Sequence, residues 1–430
     1  MSLESLINAI RHGEVYGFAV IDITTPQEII EKHLEDSFLF PPIIQRKKLD
    51  ESFLSDFMKQ RYKESQKKLD METVIQGYHG KDIFAITTLI QFWLKQGLEI
   101  TDIKHFVQYQ PGKALKPFAE KVTKLRIEAT FDGDEAKATS AKLAGNSGYG
   151  KCGENVLRHT NTKVVIDQKK MLKEAEKAFT LDQNEIINEC DELVAWEVKQ
   201  RKRQITDCKP IHFANAILQT SKLLFLEFMY YIYNHLQPGS FRTCYADTDS
   251  MCLALTKTNH AEMKGNIESF YRGLFDPIVK PSMRESWERT WKKWFVTTDD
   301  IHDIRKPGKL KGEGLIIMPS YKFLVEFDFK KGQFVALSSK CYFSWNDENQ
   351  SSKIGSKGVP RSSKLELQNF LDKLYHNTSI SANIHTLKMH NHEMIRCLQR
   401  RSALNDLFPK FHMDSDRITC TPLRHNNQIV

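Results

Sequence analysis

The sequence predicts an α+β protein, because stretches with the alternation of strands and stretches with the periodicity of helices follow one another. Residues 16–23 (YGFAVIDI) are predicted as a buried strand that ends before Pro26. Residues 213–236 form a long apolar stretch, and we predict a helix there that ends before Pro238. Residues 241–255 alternate in the manner of two strands joined by a turn.

The other elements follow from the same patterns. Further helices are predicted over residues 53–69, 82–94, 135–147 and 365–375. Glycines mark two of the predicted helix ends: Gly97 for the second of these helices, and Gly148, Gly150 and Gly153 for the third. Residues 167–203 are highly charged, and we expect an exposed, partly helical insertion there. Residues 346–363 are expected to form a polar loop.

The composition excludes full disorder and a fibrous or collagen-like chain, because 40% of the 430 residues are hydrophobic. A chain of this length can hold two or three domains, or one large enzyme with several subdomains. The 62 Lys and Arg residues exceed the 54 Asp and Glu residues, which gives a formal net charge of +8 at pH 7. This mild excess permits a polyanionic partner without requiring one.

The sequence shows neither a membrane span nor a secretory signal. The most apolar stretch, residues 223–236, is too short to cross a bilayer and contains Glu227. The N-terminus lacks the charged, apolar and small-residue pattern of a signal peptide. The eight Cys residues contain no Cys-x-x-Cys pair, which indicates free thiols rather than zinc sites or a disulfide framework. We therefore expect a reducing intracellular compartment (nucleus, cytoplasm or mitochondrion), no secretion and no membrane partner.

The segment Tyr245-Ala-Asp247-Thr-Asp249-Ser250 is the clearest candidate for a catalytic site. It lies between two apolar, alternating runs, FRTCY and MCLAL. Residues two apart on a strand project from the same face, about 7 Å apart, so both carboxylates can point to one position at a hairpin tip. Mg²⁺ prefers such carboxylate ligands together with substrate phosphates. The alternative is an ordinary hairpin turn rich in Asp, Thr and Ser.

A second candidate site lies in the predicted helix that contains Lys142, Asn146 and Tyr149. These residues are spaced i, i+4 and i+7, which places them on one helix face. A cation, an amide and an aromatic ring suit a triphosphate, a sugar and a base, respectively. Gly145 and Gly148 leave room for another backbone or a base pair to approach. The alternative is a glycine-rich helix C-terminus whose polar face arises by chance.

Together and in this order, the two segments resemble sequence motifs of the family B DNA polymerases. Lys-x-x-x-Asn-Ser-x-Tyr-Gly is similar to the fingers motif of that family, and Tyr-x-Asp-Thr-Asp-Ser is similar to its palm motif. A third match is Lys340-Cys341-Tyr342, which is similar to the Lys-x-Tyr that the family places beside the primer terminus. The similarity is greatest to the organellar and viral, protein-primed group, and it covers residues 110–343.

The resemblance implies roles for the residues that match the first two motifs. Asp249 would be the main carboxylate ligand shared by two Mg²⁺ ions, for which Mn²⁺ is an alternative, and Asp247 would contribute more weakly. In such a site one ion activates the primer 3′-hydroxyl and the other neutralises the leaving pyrophosphate. Lys142 would hold the incoming triphosphate. Asn146 and Tyr149 would form the floor under the nascent base pair.

The resemblance also implies the DNA contacts. Lys340 and Tyr342 would hold the primer strand by a phosphate contact and by stacking, which position the strand without reading its sequence. Ser147 and Gly150, which belong to the fingers motif, would contact the DNA as well. The implied partners are a DNA primer–template, dNTPs and a terminal protein that serves as primer.

A polymerase right-hand core is the implied fold, with a palm sheet, fingers helices, a small thumb and inserted subdomains. Its divisions would be a palm remnant with a first inserted subdomain, the fingers, a second insertion, the palm and the thumb, over residues 1–130, 131–165, 166–208, 209–345 and 346–430. The implied function is template-directed DNA synthesis for a mobile element, a virus or a linear plasmid.

The sequence departs from the family pattern at two places. Position 148 is Gly, where the family commonly has a bulkier apolar residue. The first palm motif, Asp-x-x-Ser-Leu-Tyr-Pro, is not present, and Asp22 in VIDITTP lacks its Ser-Leu-Tyr, so Asp22 is predicted to be structural. A Phe-Asp-x-Glu exonuclease motif is not present either. We therefore expect an N-terminally truncated core that binds primer–template weakly and barely extends it, because two-metal transfer uses carboxylates from two palm strands.

Two other functions are weighed against this one. The first is a non-catalytic DNA-binding relic of a polymerase, inactive in itself. An in-frame Asp-x-x-Ser-Leu-Tyr-Pro upstream of Met1 would distinguish an enzyme from such a relic. The second is an RNA-directed polymerase, which the sequence disfavours because reverse transcriptases usually carry Tyr-x-Asp-Asp and lack this fingers motif.

Overall fold

The structure is a computed structural model, and it forms an α+β arrangement of helices and small antiparallel sheets, as predicted. The chain divides into two compact units, Met1–Gly112 with Gln219–Val430, and Lys113–Leu218. The residues described are 2–38, 40–49, 51–65, 72–187, 194–202, 204–205, 208–247, 250–257, 266–298, 332–338, 340–346, 351–356, 359, 365–390, 393–407, 411–413 and 420–422. Among them, no helix has the length and apolar character needed to cross a membrane.

The first unit begins with four helices and five strands. In order they are α1 (Leu3–His12), β1 (Gly17–Thr24), α2 (Gln27–Glu35), β2 (Ile43–Lys48), α3 (Asp56–Ser65), β3 (Glu72–Gly77), β4 (His79–Ile86), α4 (Thr87–Lys95) and β5 (Glu99–Gln108). Strand β1 lies between β4 and β5 in one sheet, and β2 pairs with β3 in another. The predicted strand over residues 16–23 is therefore confirmed. The predicted helix over 53–69 is confirmed for α3.

The predicted helix over residues 82–94 is wrong in its first half. Residues up to Ile86 belong to β4, which pairs with β1 through Ala85 opposite Ala19 and Ile83 opposite Ile21. Helix α4 starts only at Thr87. Residues 83–86 are four consecutive apolar residues, a pattern that fits a strand or a helix, and pairing with β1, which is far away in sequence, selects the extended form.

The second unit consists of a helical hairpin followed by a small sheet. Its elements are α5 (Lys116–Phe131), α6 (Glu135–Cys152), β6 (Thr160–Val165), α7 (Gln168–Ala175), β7 (Thr180–Ile187) and β8 (Val194–Arg201). The three strands form one antiparallel sheet with β8 in the centre. The expectation of a partly helical insertion over residues 167–203 holds for α7 alone. Thr180–Ile187 and Val194–Arg201 are strands instead, and Val198 and Gln200 are buried on one face of β8 although their neighbours are charged.

The remaining elements follow residue 210. They are α8 (Ile211–His235), β9 (Phe241–Asp247), β10 (Ser250–Leu255), α9 (Ile267–Phe275), α10 (Arg284–Thr290), β11 (Gly332–Ser338), β12 (Cys341–Asn346), β13 (Ser351–Ser356), α11 (Leu367–His376), β14 (Ser381–His390), β15 (Glu393–Ser402), β16 (Phe411–Met413) and β17 (Cys420–Pro422). The predicted long helix, the hairpin over 241–255 and the helix near 365–375 are confirmed. The polar loop expected over 346–363 is wrong for β13, which pairs with β12.

Helix α8 organises the core of the first unit. Its residues Phe228 and Ile232 pack in a cluster with Trp287, Trp291 and other aromatic side chains that follow α9. Tyr230 of the same helix is buried against residues from the N-terminal part of the chain. A helix that is apolar on several sides must be covered on several sides, so α8 joins the early and late segments of this unit.

A network of charges attaches α3 to the C-terminal part of the same unit. The Arg61 side chain is 7% exposed and pairs with Asp406, and it lies 3.3 Å from Glu64. Lys373 of α11 lies 3.4 Å from the other carboxylate oxygen of Asp406. The amide of Asn377 donates to Glu64 at 3.0 Å. Because removing one member of a buried pair leaves an uncompensated charge, this network fixes α3 beside α11.

His33 of α2 is enclosed by aromatic rings. It is 3% exposed, and its ring centroid lies 5.1 Å from that of Phe38 and 5.0 Å from that of Tyr233. Among the residues described, its Nδ1 has no hydrogen-bond partner. Burial lowers the pKa of His33 to about 4; Asp36 opposes this shift and Lys32 adds to it. The folded first unit therefore favours the neutral imidazole.

This burial predicts a loss of stability in acid. The unfolded chain binds a proton at His33 near pH 6.5, whereas the folded chain does so only near pH 4. The contribution is therefore complete above about pH 7 and is lost as the pH falls through this window. We expect His33 to lower the free energy of unfolding by about 2 kcal/mol between pH 7.5 and pH 5.

Urea unfolding followed by tryptophan fluorescence at the two pH values measures this contribution. His33→Phe keeps an aromatic ring in the cage and should remove about that part of the pH dependence. His105→Phe, at an exposed position on β5, is the matched control and should retain it. An equal pH dependence in His33→Phe and the unchanged protein would refute the assignment.

Candidate functional site

The carboxylate-bearing hairpin has the predicted topology. Ser250 pairs with Asp247, so Asp247 is the last residue of β9 and the chain turns directly after it. Thr248 and Asp249 lie outside the described residues, as do the side chains of Asp247 and Ser250. The hairpin is confirmed, and the metal site at its end stays a prediction. Within the described part of the chain, no group of three or more His, Cys, Asp or Glu side chains could hold a metal ion.

A β-bulge precedes the end of this hairpin. The register passes from Tyr245 opposite Cys252 to Thr243 opposite Leu253, which leaves Cys244 as an extra residue on β9. A bulge bends its strand and changes the direction of the residues that follow. The part of β9 that follows Cys244, from Tyr245 to Asp247, therefore runs in a different direction from that of a regular strand.

Tyr245 contacts the Lys-x-Tyr segment directly. Its hydroxyl oxygen accepts a hydrogen bond of 2.9 Å from the backbone N–H of Lys340. Its ring centroid lies 5.4 Å from that of Tyr342 and 6.2 Å from that of Phe334. The structure thus brings together two of the three sequence motifs, whose contacting residues are 95 positions apart.

Lys340 forms a tight turn between β11 and β12. Its φ angle is 61°, in the left-handed region that non-glycine residues rarely adopt. Its side chain is exposed. The following residue, Cys341, is buried, and burial raises the pKa of its thiol. The turn therefore presents Lys340 on the surface while Cys341 anchors the strand in the core.

The two faces of β12 have different neighbours. Cys341 and Phe343 point into a core cluster with Leu337 of β11 and Phe370 of α11. Tyr342 lies on the opposite face, where its neighbours are Phe334, Tyr245 and Gly355. A Cβ atom on Gly355 would lie 2.5 Å from Cε1 of Tyr342, a distance that real contacts do not reach. The Tyr342 ring therefore packs against Gly355 at a distance that only glycine, which has no Cβ atom, permits.

The fingers-like motif lies on helix α6 in the second unit. The helix begins after Asp134, whose carboxylate accepts the N–H of Lys137 at 2.9 Å. Lys142, Asn146 and Tyr149 share one face of it, as predicted; the first two are exposed and Tyr149 is half-buried. Helix α6 continues beyond the predicted residue 147 to Cys152, and its C-cap is Gly153, the last of the three glycines predicted to end it.

The glycines of this helix serve packing against α5. A Cβ atom on Gly145 would lie 3.4 Å from Val122, and one on Gly148 would lie 3.3 Å from Phe118. The room at these positions, which was expected to serve another backbone or a base pair, is thus used by helix α5. The Ser147 hydroxyl donates to the carbonyl of Leu143 within α6.

The remaining predicted DNA contact on α6 is Gly150. A Cβ atom there would meet nothing within 4 Å, so its surroundings are open. Its backbone is therefore accessible to a ligand. A larger residue at this position would also meet no steric obstacle within the second unit.

Glu154 fixes the end of α6. Its carboxylate lies 2.5 Å from Lys209, 3.0 Å from Lys151 and 3.1 Å from His159. Hydrogen bonds from Lys209, and then from Lys151 and His159, lower the pKa of Glu154 to about 2. The carboxylate is therefore ionised throughout the neutral range, and it ties the end of α6 to the segment before α8.

Asp22 has the surroundings of a structural residue, as predicted. Its carboxylate accepts the N–H of Asp82 at 2.8 Å and lies 3.2 Å from the ammonium of Lys104. Burial alone would raise the pKa of Asp22, but the bond from Asp82 and the charge of Lys104 hold it below its usual value. This carboxylate is engaged in joining β1, β4 and β5.

Comparisons with models of protein families, with curated proteins and with solved structures find no match to this chain.

Sequence reasoning missed two residues of the site, Gly355 and Phe334. It also missed the contact of Tyr245 with the Lys-x-Tyr segment. Gly355 lies in a segment expected to be a polar loop. Alternation within residues 332–356 could have suggested three strands, but their register, which places Gly355 opposite Tyr342, is a long-range property.

The close approach at Gly355 predicts a specific steric effect. Gly355→Ala should lower the free energy of unfolding of the first unit by about 1–3 kcal/mol, because the added methyl group displaces the Tyr342 ring. In a Tyr342→Ala background the same substitution should have little effect. Gly112→Ala, where a Cβ atom meets nothing within 4 Å, is the control. Urea unfolding of the four variants measures the difference, and equal losses in both backgrounds would show that Tyr342 is not the obstacle.

Proposed function

We propose that this chain performs template-directed DNA synthesis, with nucleotide transfer from a dNTP to a primer 3′-hydroxyl at a two-Mg²⁺ site. The polymerase right-hand core implied by the sequence is part of this proposal. The single observation that carries it is the contact of Tyr245 with Lys340 and Tyr342. Two segments matched independently to a palm motif and a primer-binding motif are neighbours in the folded first unit.

This contact has a direct chemical meaning. A primer strand held by the Lys340 ammonium and by stacking on Tyr342 would lie beside the hairpin that carries Asp247. A reacting hydroxyl must be held close to the groups that activate it, and such positioning supplies a large part of catalysis. The turn and the hairpin would thus have separate roles: the turn would hold the primer, and the hairpin would supply the carboxylates.

The donor chemistry at the hairpin fits Mg²⁺. Asp247 and Asp249 are hard oxygen ligands separated by one residue, and Mg²⁺ is commonly bound by one or two carboxylates together with substrate phosphates. When bound, the two ions would activate the 3′-hydroxyl and stabilise the charge of the leaving pyrophosphate. Asp249 would be the shared ligand and Asp247 the weaker one. The other site residues would bind and orient the primer and the dNTP.

Helix α6 would bind the dNTP. Lys142 and Asn146 are exposed on one face with Tyr149 beside them, so this face is accessible to a ligand. The Lys142 ammonium can act as a point charge on the triphosphate. Its neighbours on the helix face offer an amide and a ring for the sugar and base. The packing of Gly145 and Gly148 against α5 fixes this face without using its polar side chains.

A non-catalytic DNA-binding protein is the second candidate. The observation that favours it is the ion pair between Asp22 and Lys104. The carboxylate on β1 is thereby paired within its own sheet. Such a protein would use the Lys340 turn to hold DNA and would not select nucleotides. The two candidates differ in one measurable property, which is whether the template dictates dNTP binding.

We predict template-dictated dNTP binding that does not require turnover. With a primer–template and Ca²⁺ as a non-catalytic metal, the complementary dNTP should bind at least about tenfold more tightly than each of the other three. Fluorescence anisotropy of a labelled primer–template, challenged with salt at increasing dNTP concentrations, reports this preference. DNA binding that is equal with all four dNTPs would support the non-catalytic candidate instead.

Two variants locate the nucleotide contacts. Lys142→Ala should weaken binding of the complementary dNTP about tenfold, because it removes a charge from the triphosphate. Lys137→Ala, an exposed lysine in the first turn of the same helix, is the matched control and should not. Asp249→Asn should reduce the metal dependence of dNTP binding. An unchanged dNTP affinity in Lys142→Ala would reject the role of that residue.

DNA binding itself should be electrostatic and indifferent to sequence. Lysine contacts to phosphates release counterions, so the logarithm of the affinity should fall linearly with the logarithm of the salt concentration. Titration of two unrelated primer–templates at several salt concentrations tests both properties. A salt-independent affinity, or a strong preference for one sequence, would contradict the proposed mode of binding.

A further inference from the structure

We propose that Tyr245 is a positioning residue that holds the Lys340 turn in its DNA-binding conformation, and thereby links this turn to the carboxylate-bearing hairpin. This role depends on the function proposed above for Lys340 and Tyr342. Tyr245 lies in the segment that resembles the palm motif, but the resemblance assigns it no role, and Phe334 and Gly355 lie in none of the matched motifs.

The backbone of Lys340 requires support. Its φ angle of 61° is unfavourable for a residue with a Cβ atom. The N–H of Lys340 donates to the hydroxyl of Tyr245 at 2.9 Å. A hydrogen bond from outside the turn therefore contributes to holding a conformation that the local sequence disfavours.

The side chain that accepts this bond is itself held in place. The Tyr245 ring contacts Phe334 and Tyr342, and these two rings contact each other at a centroid distance of 6.1 Å. Gly355 allows the Tyr342 ring to lie close to β13. The hydroxyl of Tyr245 is thus placed by the rings of Phe334 and Tyr342 and by the bulge at Cys244, rather than by the turn backbone that it supports.

The direction of the Lys340 side chain follows from its backbone conformation. The Cα–Cβ bond leaves the chain in a different direction when φ is positive than when φ is negative. Without the Tyr245 hydroxyl, the turn can relax to other conformations, and the ammonium then spends less time where a phosphate would meet it. Tyr245 acts on DNA through Lys340 and needs no contact with DNA itself.

The test is a double-mutant cycle on primer–template binding. Tyr245→Phe removes only the hydroxyl, and Lys340→Ala removes the charge. Each should weaken binding at low salt by about tenfold and should reduce the slope against salt by about one. The double variant should be no weaker than Lys340→Ala, because both changes remove the same phosphate contact. Tyr231→Phe, which removes a half-buried hydroxyl bonded to Thr290, should change neither quantity.

A purely structural role for the hydroxyl would not give this pattern. It would lower the melting temperature without changing the salt slope, and its effect would add to that of Lys340→Ala. Additive losses, or a Tyr245→Phe variant with the unchanged salt slope, would therefore overturn the proposal. Complementary dNTP binding within the DNA complex should be the same in Tyr245→Phe as in the unchanged chain, because α6 is not affected.

A measurement without DNA separates this proposal from the proposed function. Limited trypsin digestion should cut after Lys340 faster in Tyr245→Phe than in the unchanged chain or in Tyr231→Phe, with the new end at Cys341 identified by mass spectrometry. In the unchanged chain, the Lys340 amide should be protected from hydrogen exchange. If no chain binds DNA, the proposed function fails while these two readouts still decide whether Tyr245 holds the turn. Fast exchange at Lys340 in the unchanged chain would overturn the proposal without any variant.

Discussion

The burial of helix α8 on several sides is the constraint on which the first unit depends. Tyr230 faces Phe38 and Phe92 from the N-terminal segment, while Ile232 faces the tryptophan cluster that follows α9. Burying such side chains is the main favourable contribution to folding, and a close-packed interior tolerates little displacement. Because β9 starts shortly after α8 ends, the position of the hairpin follows from this core. The ring centroid of Phe241, at the start of β9, lies 6.4 Å from that of Phe38, so the same packing extends into the hairpin.

The sequence predicts those elements whose pattern is local. Helix α8 is long and apolar, and the two strands after it alternate clearly, so both could be recognised without the structure. Residues 82–86, 180–187 and 194–201 could not, because their strand character depends on partners elsewhere in the chain. In β8 the buried residues include Gln200, which is held by Glu174 at 2.8 Å, so a polar residue takes an inward position that hydropathy assigns to an apolar one. The contact between Tyr245 and Lys340 is likewise invisible in sequence, although both motifs are recognisable there.

The glycines of α6 show that one glycine pattern fits more than one neighbour. Gly145 and Gly148 were expected to leave room for another backbone or a base pair, and the structure places Val122 and Phe118 of helix α5 beside them. A glycine in a helix indicates that something approaches closely, but the sequence does not identify what approaches. Lys142 and Asn146 stay exposed on the same helix. Their predicted role in binding a nucleotide therefore does not depend on what occupies the space beside the glycines.

The Lys340 turn is held by contributions of similar size and opposite sign. A left-handed conformation costs a residue with a Cβ atom about 1–2 kcal/mol, and a neutral hydrogen bond contributes a net stabilisation of about 1 kcal/mol. The bond from Lys340 to Tyr245 thus comes close to offsetting the backbone cost, without a large excess. Since Phe334 and Tyr342 restrict the Tyr245 ring before the bond forms, little side-chain entropy is lost on forming it. The conformation of the turn is consequently sensitive to the position of the hairpin, because a displacement that lengthens this one bond removes the contribution that offsets the backbone cost. A phenylalanine at position 245 could fill the same space, but it would lack the hydroxyl that connects the backbone of the turn to the strand that ends in Asp247.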